Sequence, residues 1–109
     1  MDFNPDHIYS EITKAGEDYA DKRAAFELLD DTTKSVLAEI TGDYIDAGDT
    51  KAAGEVKALK SPKFKDHLAA LAAARRAFLF AQVKYQAVNK LADLRQSQES
   101  TNRALITLR

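Results

Sequence analysis

The chain of 109 residues contains no cysteine and no tryptophan, and its single methionine is the first residue. The lack of cysteine excludes disulfide bonds, thiolate chemistry and cysteine-based zinc sites. No apolar run approaches the roughly 18 residues that a membrane span needs, and residues 1–6 lack the basic and apolar segments of a secretory signal. We therefore expect a cytoplasmic, single-domain protein that does not bind membranes.

Glycine and proline are also scarce, with four and two residues, and three of the glycines lie between residues 42 and 54. Such a chain has little means of presenting backbone amides to a phosphate group. The G-x-S-x-G, H-E-x-x-H and glycine-rich phosphate-loop motifs are all absent. These absences predict a protein that is not an enzyme and that uses no cofactor.

Two sets of polar residues invite a metal-site interpretation. His7 and Glu11 are four residues apart, so they share one face of a helix, but two ligands do not make a site. Asp43, Asp46 and Asp49 lack the ligand order of a calcium loop. We expect no bound metal.

The first 45 residues predict one long helix, over about 5–45. Asn4 is a suitable N-cap, and Pro5 suits the first helical position because it lacks only an amide that would be unpaired there. Apolar residues then recur at steps of four and three that alternate as far as Ile40, the heptad pattern of a coiled coil, with Lys22 and Thr33 in two of the slots. The series consists of Ile8, Ile12, Ala15, Tyr19, Phe26, Leu29, Val36, Ile40 and Tyr44.

The connection, about 46–60, combines glycine and aspartate, which favour turns. A short helix capped by Asp49 is predicted to end at Leu59. Its apolar face is expected to consist of Ala52, Ala53, Val56 and Leu59.

The second long helix is predicted over about 62–95 or beyond, because Ser61 is a good N-cap and Pro62 suits the first helical position. Its heptad series is expected to consist of Phe64, Leu68, Leu71, Ala74, Phe78, Ala81, Tyr85, Val88 and Leu91, with Leu94, Leu105 and Leu108 extending it. The predicted fold is all-α: a long antiparallel helical hairpin, coiled-coil-like, with a short helix in the connection.

Residues 68–81 are too apolar for a helix that packs against one partner, since only Arg75 and Arg76 are charged there. Leu79 and Phe80 would remain exposed. We interpret the stretch as a second interface, formed when two copies make a homodimer with a four-helix core. The predicted interface consists of Leu68, Leu71, Ala72, Arg75, Arg76, Phe78, Leu79 and Phe80. Alternatively, the short helix folds back over this stretch.

Charge is divided along the chain: residues 1–45 carry eleven acidic and four basic side chains, and residues 61–109 carry three and nine. The basic half could contact nucleic-acid phosphates. Candidate contacts are Lys63, Lys65, Lys84, Lys90 and Arg95. Alternatively, the basic residues pair with acids of the first helix, as oppositely charged antiparallel helices do. Those acids are Glu17, Asp18, Asp21, Glu27, Asp30 and Asp31.

The second half also carries a motif of the form S-P-x-F-x-x-H-L-x-x-L-x-x-A-R. Its residues are Ser61, Pro62, Phe64, His67, Leu68, Leu71, Ala74 and Arg75, followed by Phe78, Tyr85, Leu94, Arg95, Glu99 and Arg103. This segment resembles small helical-hairpin proteins of tailed bacteriophages, encoded near genes for recombination or early DNA metabolism. The resemblance implies a non-enzymatic accessory protein in the host cytoplasm that binds a partner protein and modulates DNA recombination or replication. Two alternatives stay open: inhibition of a host enzyme or defence complex through the acidic face, and direct nucleic-acid binding.

Overall fold

The computed structural model describes residues 5–107, which form three α-helices and no strand. The helices are α1 (Pro5–Asp46), α2 (Lys51–Lys60) and α3 (Pro62–Thr107). The predicted all-α helical hairpin with a short connecting helix is confirmed. The proposed cap Asn4 lies outside the described residues. Within residues 5–107, no helix is both long enough and apolar enough to cross a membrane.

Contacts divide the chain into two units, which are described separately. One contains residues 22–78, with α2 and the adjoining parts of α1 and α3. The other contains residues 5–21 and 79–107, from the remaining parts of α1 and α3.

In the unit of residues 22–78, α1, α2 and α3 meet in one hydrophobic core. Ile40 of α1, Ala58 of α2 and Phe64 of α3 are buried together. Val36, Leu37 and Tyr44 pack against this core.

Two aromatic residues show the direction of α1 and α3 within this unit. The rings of Phe26 and Phe78 are stacked with their centroids 5.6 Å apart, whereas Ile40 contacts Phe64 in the core. A later residue of α1 therefore contacts an earlier residue of α3, so the two helices are antiparallel here.

A hydrogen bond between side chains explains the polar Thr33 in the heptad series of α1. The Thr33 hydroxyl donates to the Leu29 carbonyl at 2.8 Å, and His67 Nε2 lies 2.9 Å from Thr33 Oγ1 and 3.1 Å from the same carbonyl. Because the hydroxyl proton is already used, His67 Nε2 must be the donor in both contacts. A polar pair of this kind fixes the register of two helices.

The end of α1 is a Schellman turn. The Gly48 amide donates to the Ile45 carbonyl, and the Asp49 amide donates to the Tyr44 carbonyl. Gly48 has φ 111°, a conformation that glycine adopts without the strain that a Cβ atom would cause.

The prediction that Asp49 caps α2 is wrong. The N-cap is Thr50, whose hydroxyl accepts from the Ala53 amide. Asp49 instead accepts hydrogen bonds from Lys57 Nζ at 2.9 Å. Both residues have short oxygen-bearing side chains, so sequence alone ranks them nearly equally as caps.

The predicted apolar face of α2 is also wrong in part. Gly54 and Ala58 are buried, whereas Val56 and Leu59 are more than half exposed. A Cβ built on Gly54 would lie 3.4 Å from the Thr41 carbonyl oxygen, so α2 packs closely on α1 through its smallest residues. Close backbone packing thus selects small side chains over the larger ones.

The predicted cap of α3 is confirmed. Ser61 is buried, and its hydroxyl accepts from the Phe64 amide at 3.2 Å and donates to the Ala58 carbonyl at 2.7 Å. One hydroxyl therefore begins α3 and ends α2.

In the unit of residues 5–21 and 79–107, the contact between α1 and α3 includes three buried alanines and a pair of tyrosines. Ala15, Ala81 and Ala92 are buried. The ring centroids of Tyr19 and Tyr85 are 5.7 Å apart.

We expect Gly16→Ala to stabilise the protein by about 0.5–1 kcal/mol, because glycine inside a helix is less stable than alanine by that amount. The new Cβ would meet the Tyr85 ring at 3.5 Å, an ordinary contact. Urea unfolding measures the change. Gly48→Ala is the control and should destabilise by at least about 1 kcal/mol. A loss of stability in Gly16→Ala would contradict the packing at Tyr85.

Candidate interaction surface

The buried face of α3 follows a strict heptad that differs from the predicted series at three places. His67 is half-buried where Leu68 was expected, and Ala92 is buried where Leu91 was expected. Leu94 is exposed as well, and Arg95 takes the inner position. The predicted extension at Leu105 is also wrong, since that side chain is exposed, and Leu108 lies outside the described residues. The inner series is Phe64, His67, Leu71, Ala74, Phe78, Ala81, Tyr85, Val88, Ala92 and Arg95, with steps of three and four throughout.

Leu91 and Leu94, which the inner series excludes, contribute to an apolar surface on the opposite side of α3. We call this surface the outer stripe. It consists of Phe80, Val83, Ala87, Leu91 and Leu94, all exposed and all within the unit that contains residues 79–107. At about 100° of rotation per residue, each of these residues lies within roughly 40° of Ala87 around the helix axis. The inner residue Tyr85 lies about 160° away on the same scale.

The outer stripe is exposed to an unusual degree. Phe80 keeps 76% of its surface accessible and Val83 keeps 65%, while Leu91 and Leu94 keep 48% and 60%. Single exposed apolar residues are common on protein surfaces, but a contiguous apolar patch marks an interaction site.

The predicted interface residues do not share one surface. Leu71 is buried, and Phe78 stacks on Phe26 of α1. The Arg75 guanidinium lies 5.3 Å from the centre of the Phe26 ring, so it too contacts α1.

The remaining predicted interface residues, Leu68, Ala72, Arg76, Leu79 and Phe80, are exposed. Leu68 keeps 41% of its surface accessible and Leu79 keeps 47%. The alternative in which α2 folds back over this stretch is therefore wrong. The contacts of α2 are with the end of α1, through Gly54, and with the core, through Ala58.

The candidate nucleic-acid contacts also lie on different sides of α3. Lys63 and Lys65 are two residues apart, which places them about 160° apart around the axis. Lys84 lines a groove with Glu11 and Asp18 of α1. Lys63 and Lys65 therefore do not share one side of α3.

Arg95 and Lys90, the other two candidate contacts, are separated from each other in the same way. Five residues of helix place them about 140° apart around the axis. Arg95 is half-buried on the inner side, whereas Lys90 is exposed beside the outer stripe.

The expected pairing of acidic α1 with basic α3 is limited in the structure. Glu27 pairs with Arg23 of its own helix, at 2.9 Å. Among the described residues, no ion pair joins α3 to the other acids expected to take part. These are Glu17, Asp18, Asp21, Asp30 and Asp31, all exposed. Much of the acidic surface of α1 therefore faces solvent.

His7 and Glu11, considered above as metal ligands, contact each other. His7 Nε2 lies 3.0 Å from Glu11 Oε1, so the two side chains pair with each other. Within residues 5–107, no group of three or more histidine, aspartate or glutamate side chains is arranged to hold a metal ion.

An open groove of about 470 Å³ lies between α1 and α2 in the unit of residues 22–78. Its apolar lining includes Leu37, Ile45 and Leu59. Lys34 and Lys51 also line it.

Sequence reasoning missed the outer stripe beyond Phe80, although a signal for it was present. Val83, Ala87 and Leu94 follow Phe80 at helical steps, but hydrophobicity alone favours Leu91 and Leu94 for the inner series, because leucine is more apolar than alanine or arginine. A strict heptad would have selected Ala92 and Arg95 instead. Comparison with known proteins gives no further guide, since no family model, curated protein or solved structure matches the chain.

Proposed function

We propose that this protein is a non-enzymatic interaction protein that self-associates through the outer stripe of α3. The observation that carries the proposal is the exposed run of large apolar side chains from Phe80 to Leu94, on the side of α3 that faces away from α1. Leaving such a surface in water is unfavourable by roughly 25 cal/mol per Å². A second helix that covers it removes this cost.

The dimer also serves as a scaffold for a partner protein, with the acidic surface of α1 as the contact. Glu27 and Asp31 are exposed one turn apart there, within the unit of residues 22–78, and an acidic surface attracts a basic partner and accelerates its association. The resemblance of the second half to phage accessory proteins makes recombination or replication proteins the first partners to test. An inhibitor of a host enzyme would use the same acidic surface.

Size-exclusion chromatography with light scattering tests self-association. At micromolar concentration we expect a molar mass of twice the 12.0 kDa of one chain. A constant mass of 12.0 kDa up to the highest concentration reached would contradict the proposal.

We expect direct nucleic-acid binding to be weak, because the basic residues of α3 are divided between several sides and Lys84 lies near Glu11 and Asp18. Fluorescence anisotropy with single-stranded and double-stranded DNA at low and physiological salt measures it. Several phosphate contacts made together would give tight binding that falls steeply with salt. That result would favour nucleic-acid binding over the scaffold role.

Lys65→Glu and Lys90→Glu are matched variants for this titration. Each reverses one exposed charge of α3 without touching the inner series. Under the scaffold proposal, neither variant changes the anisotropy beyond its error.

A further inference from the structure

The outer stripe is symmetric along the helix. Counted from Ala87, Val83 and Leu91 lie four residues away on the two sides, and Phe80 and Leu94 lie seven residues away. All five are exposed and belong to one continuous helix within one unit. The stripe therefore has the same spacing read in either direction.

A spacing of this kind suits a two-fold axis perpendicular to the helix. When two identical helices pack antiparallel about such an axis, each residue faces the one at the same distance on the other side of the axis. An axis at Ala87 places Phe80 opposite Leu94 of the second copy and Val83 opposite Leu91. A large apolar side chain then meets another at every level except the centre.

The centre itself is suited to close contact. Alanine has the smallest side chain that still favours a helix, so the two backbones can approach at Ala87 toward the lower end of the 8–10 Å usual for packed helices. Lys84 and Lys90 lie on the two flanks, where their aliphatic chains can cover the stripe while their charges stay in water.

The surface available is sufficient for a modest dimer. An aromatic side chain buries about 150–250 Å², so Phe80, 76% exposed, supplies a substantial part of the about 800 Å² that each partner buries in a standard interface. The stripe itself covers about 21 Å of helix, which places the interface at the small end of the range.

We infer that the occupant of the outer stripe is a second copy of this chain, packed antiparallel with the two-fold axis at Ala87. This inference rests on the proposed function, to which it adds the identity of the partner helix and its register. An axis at residue 83 would place Phe80 opposite Gln86, and an axis midway between residues 84 and 85 would place it opposite Asn89, in each case leaving part of the stripe in water.

Cysteine cross-linking tests the register, and the natural chain contains no cysteine to interfere. Ala87→Cys should form a covalent dimer, because residues at the axis are within the 4.4–6.8 Å Cα separation that a disulfide bridges. Differently tagged Val83→Cys and Leu91→Cys chains, mixed and mildly oxidised, should form the mixed disulfide at least tenfold faster than either forms with itself. Gln86→Cys is the control for random collisions, since it is exposed but about 100° from Ala87 around the helix.

Light scattering of each variant before oxidation separates the outcomes. Dimers linked at Ala87 and between Val83 and Leu91 support the inference. Dimers in which Val83 links to Val83 and Leu91 links to Leu91 indicate parallel packing, and dimers that cross-link no faster than the Gln86→Cys control indicate another surface. Each of the latter two results overturns the register and leaves self-association intact, whereas natural chains that stay monomeric overturn both proposals.

Discussion

Phe80→Asp is expected to weaken self-association at least 100-fold, a change of about 2.7 kcal/mol. Phe80 exposes 76% of its surface in the single chain and supplies the largest apolar side chain of the outer stripe. Replacement removes that contact twice in a symmetric dimer and brings two carboxylates next to apolar surface, where they lose hydration. Sedimentation equilibrium of the natural and variant proteins measures the two dissociation constants.

Leu28→Asp is the matched control for this experiment. Leu28 is 65% exposed, but it lies on α1, so the change has the same charge and a similar cost in helix propensity without touching the outer stripe. We expect its dissociation constant to stay within about threefold of the natural one, a change of less than 0.7 kcal/mol. Equal weakening by both variants would show that added negative charge, rather than the stripe, controls association.

Phe64→Ala is expected to lower the free energy of unfolding by about 3–5 kcal/mol, the usual cost of removing a buried phenylalanine. Phe64 is 6% exposed and shares its core with Ile40 and Ala58, one residue from each of the other two helices. The cavity would thus open where all three helices meet. Since small domains have only about 5–15 kcal/mol of stability in total, the variant should unfold at much lower urea concentration.

The control for this prediction is Leu59→Ala. Leu59 lies on α2 close in sequence to the core residue Ala58, but it is 54% exposed. We expect Leu59→Ala to lower the free energy of unfolding by less than about 1 kcal/mol, since only part of the leucine side chain leaves an apolar environment. A cost for Phe64→Ala no greater than that of Leu59→Ala would contradict the three-helix core.

The helices and the turn between them could be predicted from the sequence because local chemistry specifies them. Ser61 with Pro62, and the sustained heptad of α1, each depend on residues close together in the chain. Which residue of a short turn acts as the cap depends on smaller differences, and Thr50 rather than Asp49 caps α2.

Contacts between helices were harder to predict, since hydrophobicity alone does not identify the inner face. His67 and Ala92 occupy inner positions next to the more apolar Leu68 and Leu91. His67 is accommodated there because Thr33 and the Leu29 carbonyl accept its hydrogen bonds, a pairing across 34 residues that no local pattern reveals. Ala92 is buried at its inner position, although its side chain is less apolar than that of its neighbour Leu91.

The candidate surface could be predicted only in part. Leu79 and Phe80 were identified because residues 68–81 have more apolar side chains than one partner helix can cover. Its continuation to Leu94 could not be identified until the inner heptad was known. The same excess of apolar residues could not show that Leu71 and Phe78 belong to the inner series rather than to the outer stripe.

Self-association through the outer stripe is measured most directly by the solvent accessibility of individual methyl groups in NMR. In the protein with labelled leucine and valine methyls, a soluble paramagnetic agent broadens the exposed signals. At micromolar concentration and above, we expect the methyl groups of Val83, Leu91 and Leu94 to be protected, increasingly so as concentration rises, while those of Leu28 stay accessible. Val83 and Leu94 methyls as accessible as those of Leu28 at every concentration would contradict self-association through the outer stripe.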